Sequence, residues 1–126
     1  LFEWCVLFMD DENPNVQVAS LEAMLPCEDV DVEMIYDLTE NNDKRLRGAA
    51  VAVMAKHDQE NASDWFRYGL TDPETHVRIQ TARQLECLDP KEHQQIFDLA
   101  RFDTNPKIAE CAQKLIEGKG FAKVTW

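Results

Sequence analysis

Asp72-Pro73-Glu74-Thr75-His76-Val77-Arg78 is the stretch on which the fold turns. It joins a helix-starting turn to an aliphatic residue five positions after the opening aspartate. The same pattern occurs three more times, as Asp11 to Val16, Asn41 to Leu46 and Asp103 to Ile108. The aliphatic anchors Val16, Leu46, Val77 and Ile108 are spaced by 30, 31 and 31 residues. A fixed period of this length marks stacked supersecondary units.

Each anchor opens a helical stripe. The stripes run Val16, Ala19, Ser20, Ala23, Met24; Leu46, Ala49, Ala50, Val53, Met54; Val77, Thr81, Leu85, Leu88; and Ile108, Cys111, Ala112, Leu115, Ile116. Spacings of three and four place these residues on one helix face. The small residues within each stripe let a second helix come close. Asn13-Pro14, Asp89-Pro90 and Asn105-Pro106 put a capping side chain before a proline at the first helical position, where its missing N–H costs nothing. Pro26 stops the first helix, and Gly118 with Gly120 ends the last. Between the stripes, second helices are expected near 29–39 (Val32, Ile35, Leu38), 63–70 (Trp65, Phe66, Leu70) and 90–102 (Ile96, Phe97, Leu99, Ala100). No alternating run bounded by turn residues reads as a strand. The expected architecture is all-α: an α-solenoid of about four stacked antiparallel helix pairs, each touching its neighbours.

Asp72-Pro73 followed by Val77-Arg78, with small residues one turn later, resembles the HEAT-like repeats of the phycobilisome-lyase type over residues 11 to 117. The resemblance implies one HEAT-like domain over 1–126, with repeats near 11–40, 41–70, 71–102 and 103–126. Residues 1–10 would then be the second helix of a preceding or capping repeat. It also implies a polar ladder between adjacent repeats, carried by Asp72 and Arg78, with Arg47 as its counterpart in the second copy. Gln17 and Ala109 replace the arginine in copies one and four. Such repeats scaffold many unrelated proteins, so the motif speaks to fold more than to function.

The charge is lopsided. The 126 residues contain 24 acids and 13 bases, a formal net charge of −11, yet residues 1–43 hold twelve acids and no Lys, Arg or His. Polyanions and anionic lipid are disfavoured partners, so neither nucleic-acid nor membrane binding is expected. No run reaches the roughly 20 apolar residues that span a bilayer. Cys5, Cys27, Cys87 and Cys111 show no metal-ligand or C-x-x-C spacing with His57, His76 or His93, so buried reduced thiols in a cytoplasmic protein are expected. His57, beside Lys56 at a helix end, reads as a surface cation. His76 and His93 are each expected in a first helical turn. Asp10-Asp11-Glu12-Asn13 lacks the alternation and the glycine of a calcium loop, so no metal, cofactor or catalytic group is expected.

Phe2, Trp4, Val6 and Phe8 form an apolar N-terminal edge that reads as a face stripped of a neighbouring repeat, as a contact with a second copy or another protein, or as a cap folded back on itself. A chain starting at Leu1 is expected to be part of a longer protein. Second helices commonly line the inner surface of a solenoid. Glu33, Asp37 and Glu40 share one face of the first of them, with Arg67, Asp98 and Arg101 at matching places later. The expectation is a non-enzymatic scaffold that binds another protein, one with a basic surface, through these residues. The resemblance alone implies an alternative, a bilin-lyase-type subunit or a regulatory repeat domain of a larger enzyme.

Overall fold

The computed structural model describes residues 12–119, and the apolar edge of Phe2, Trp4, Val6 and Phe8 lies outside them. The described residues are all helical, with no strand. The α-helices are α1 (Pro14–Met24), α2 (Lys44–His57), α3 (Ala62–Leu70), α4 (Thr75–Ala82), α5 (Gln94–Arg101) and α6 (Pro106–Ile116). Short 3-10 turns separate them: η1 (Val32–Met34), η2 (Tyr36–Glu40), η3 (Gln59–Asn61) and η4 (Leu85–Cys87). None of these helices is long and apolar enough to cross a membrane.

Local chemistry starts the stripe helices. Asn13, Asp43 and Asn105 each accept a hydrogen bond from the N–H two residues on, at 2.9 Å, satisfying a donor the helix itself leaves unpaired. The turns before α2, α4 and α6 share a further device. Asn41, Asp72 and Asp103 side chains accept the N–H of Asp43, Glu74 and Asn105 at 2.8, 2.9 and 2.8 Å. Gly118, at φ 77, follows α6 in the left-handed conformation that ends a helix cheaply only at glycine.

Each helix packs on near neighbours in the chain. α1, α2, α4 and α6 contact one another in that order; α3 and α5 also touch, and α3 rests on both α2 and α4. At the centre, Leu46 and every residue from Gly48 to Ala55 in α2 are buried. One apolar cluster gathers Leu21, Met24 and Ile35 with Leu46, Ala49, Ala50, Val53 and Met54 of α2, and another gathers Phe66, Leu85, Ile96, Phe97, Ile108 and Cys111. Trp65 packs against both.

Several expectations are corrected. The helix expected over 29–39 is two 3-10 turns that meet at Ile35. Asp31 caps Glu33 N–H at 3.2 Å instead of continuing a helix, and Thr39 Oγ1 donates to Tyr36 O at 2.6 Å, holding the tighter i−3 winding. α5 starts at Gln94 rather than Pro90, because Asp89 closes a separate turn through Lys91 N–H at 2.9 Å. His93 is therefore the residue before α5, not inside its first turn. Leu85 and Leu88 lie beyond α4, on and after η4. Among the described cysteines only Cys111 is buried; Cys27 is half-buried and Cys87 exposed. His57 is not a free surface cation. Its Nε2 lies 3.1 and 3.0 Å from the carbonyls of Met24 and Leu25, so it donates to them and ties the end of α1 to the end of α2.

Candidate functional site

Two polar constellations stand out, one inside the fold and one on its surface. Inside, Arg47 grips Asp72 with two hydrogen bonds, Nε at 2.8 Å and Nη2 at 3.0 Å, and its Nη1 donates to Asn41 O at 2.9 Å. Arg78 repeats the arrangement one period later. Its Nε lies 3.0 Å from Asp103, and its Nη1 donates to the carbonyls of Asp72 and Pro73. Each arginine thus joins its own turn to the next aspartate. Burial pushes the Asp72 carboxyl up, but hydrogen bonds from Arg47 and Glu74 N–H, with the charges of Arg47 and Arg78, outweigh it and hold the pKa below the ordinary value. In the first interval the contact is lighter, Arg45 Nη1 to Asn15 at 2.8 Å.

On the surface, a groove of about 390 Å³ runs between η2 and α3. Its walls are Tyr36, Thr39 and Glu40 from η2, Asp58 and Asn61 from the α2–α3 connection, and Asp64, Trp65 and Tyr68 from α3. Trp65 Nε1 donates to Asp58 at 2.9 Å and Tyr68 donates to Thr39 O at 3.0 Å, so the connection and η2 are both tied to α3. The groove continues past Tyr36 and Asp58 to Val32, Glu33 and Asp37. No basic side chain lines either part.

A second depression lies between α3 and α5, lined by Arg67, Gln95, Asp98, Leu99 and Phe102. Arg67 donates to Gln95 at 3.1 Å, and Arg101 pairs with Asp98 at 3.1 Å while stacking 4.7 Å from the Phe102 ring centre. The six side chains expected to meet a partner therefore fall into two patches. Glu33, Asp37 and Glu40 border the acidic groove; Arg67 and Asp98 line the mixed one, with Arg101 reaching it through its pairing with Asp98. Sequence reasoning missed Tyr36 and Tyr68, and it took Trp65 for plain core. The available signal was the three-residue spacing of Trp65 and Tyr68 beside Asp58 and Asp64.

Among the described residues no three His, Cys, Asp or Glu side chains are arranged to hold a metal ion. Burial pushes the Cys111 thiol up to about 12, and partial desolvation of the sulfur raises that of Cys87 although the residue as a whole is exposed, the opposite of an activated nucleophile. Comparison with protein-family models, curated proteins and solved structures finds no match to this chain.

Proposed function

We propose that the chain is a HEAT-like α-solenoid serving as a non-enzymatic protein–protein interaction scaffold, with its partner lying along the face formed by η2, α3 and α5. One observation carries the reading. Four of the five large apolar side chains left exposed among the described residues, Tyr36, Tyr68, Leu99 and Phe102, belong to η2, α3, α5 or the residue after α5, where they sit beside charged groups; the fifth, Ile116, stands apart at the end of α6. Aromatic anchors rimmed by polar residues are the composition of a protein-binding face. The solenoid is supported by the recurring turn and arginine–aspartate geometry at intervals of the sequence period, and by contacts between chain neighbours. Free thiols at Cys27, Cys87 and Cys111 fit the expected cytoplasmic setting.

Photo-crosslinking side chains placed singly at Tyr68, at Leu99 and at exposed Gln113 on α6 test the proposal in cells. Adducts to a common protein are expected from the first two positions and not from the third. Adducts from Gln113 alone, or from none of the three, would overturn it.

A further inference from the structure

The groove between η2 and α3 holds more detail than a docking face requires. Tyr36 meets Trp65 at a ring separation of 5.7 Å and 78°, and Trp65 meets Tyr68 at 5.9 Å and 88°. Rings set at right angles enclose a corner, not a parallel slot. Two of its walls stay open to solvent, Tyr36 at 55% and Tyr68 at 42% exposure. Trp65 hands its indole N–H to the Asp58 carboxylate, which drives electron density into the ring and strengthens its attraction for a cation.

The rim is negative and unanswered. Glu40, Asp58 and Asp64 border the corner, with Glu33 and Asp37 at its continuation. Among the described residues none of Glu33, Asp37, Glu40 and Asp64 takes part in an ion pair. Burial, then the charges of Glu40 and Asp72, push the Tyr68 phenol above its ordinary pKa against the opposing charge of Arg47. An aromatic corner edged by unpaired carboxylates is complementary to a small cation.

We propose that this corner receives the ammonium group of a lysine on an extended segment of the partner protein, an inference that rests on the scaffold reading above. A lysine fits better than an arginine. Its ammonium is a compact charge with three N–H donors, which can face the rings while donating to Glu40 and Asp64. A planar guanidinium gains most by lying parallel to ring faces, and these rings meet at right angles. Asp58 already accepts from Trp65 and Asn61, so its part is to orient the indole.

The test is an NMR titration of the whole chain with a capped five-residue peptide carrying one central lysine, against the same peptide with norleucine. The lysine peptide is expected to shift the Trp65 indole N–H saturably, and the norleucine peptide to bind about tenfold more weakly or not at all. Tyr36→Leu, at an exposed position, should weaken the lysine peptide about tenfold, whereas Tyr36→Phe keeps the ring and the affinity. Glu40→Gln should weaken it several-fold without touching a ring. Equal binding of the two peptides, an unchanged affinity in Tyr36→Leu, or no saturable shift up to about 10 mM would overturn the inference. Crosslinks from Tyr68 and Leu99 together with a failed lysine titration would retire the lysine and leave the scaffold. A working lysine site without those crosslinks would do the reverse.

Discussion

Asp72 is the most informative single residue of the fold. Its side chain is 7% exposed and that of Arg47 15%, so their doubly bonded contact is shielded from water and salt. Removing one partner leaves the other charge buried. Asp72→Ala should therefore destabilise by about 3 kcal/mol, read by thermal or urea unfolding. The sign of the pH effect follows from the lowered pKa. The stabilisation is present above the ordinary aspartate value of 3.8 and is lost as pH falls through the lower folded value. Asp72→Asn should flatten the acid limb of the stability profile below about pH 4, and an unchanged limb would count against the pairing. Short-range chemistry of this kind was legible beforehand. Asn13 and Asn105 before prolines announce their helix starts because a cap acts over two or three residues. Asp103 as the partner of Arg78 was less visible, since only the folded chain brings together side chains 25 residues apart.

Among elements, α3 and α4 approach closely at Gly69 and Thr81. A Cβ placed on Gly69 would fall 2.7 Å from Cγ2 of Thr81, whose hydroxyl is itself bonded to Val77 O at 2.9 Å. Gly→Ala in a helix interior ordinarily stabilises by about 1 kcal/mol. Here the overlap should reverse the sign, and Gly69→Ala should cost about 1–3 kcal/mol. Adding Thr81→Ala removes Oγ1 and Cγ2 but leaves a Cβ 2.8 Å away, so it relieves part of the overlap and the double variant should be more stable than the sum of the single changes; strict additivity in unfolding experiments would refute the contact. The stripe helices were readable at their starts, where the anchors Leu46, Val77 and Ile108 are buried. Their three-and-four stripes were only partly so: Ala19 and Ile116 are exposed, and α2 is buried all round from Gly48 to Ala55. The η1–η2 segment was not: its Val32, Ile35 and Leu38 satisfy the same period, yet side-chain capping by Asp31 and Thr39 favours tighter turns. The groove escaped notice for a related reason. Tyr36 and Trp65 belong to different elements, and neither stripe shows that they meet.

For the molecule as a whole, α2 is the hub, buried from Gly48 to Ala55 and touching α1, η2, α3 and α4. Amide hydrogen exchange should be slowest there and markedly faster across η1 and η2, which expose more backbone and bury less; equal protection would contradict this arrangement. The −11 charge likewise resolves into a place, because Glu33, Asp37 and Glu40 border a groove that no basic side chain lines. Trp65 ties these facts together, as it belongs to both apolar clusters and to the groove wall. An occupant of the groove would press η2 against α3 and brace the seam where the clusters join. Binding and folding would then be thermodynamically linked through one indole. By mass action, an occupant at a hundred times its Kd adds about 2.7 kcal/mol to the stability of the entire chain. The partner would act as a splint, and the bound protein would outlast the free one under heat or protease.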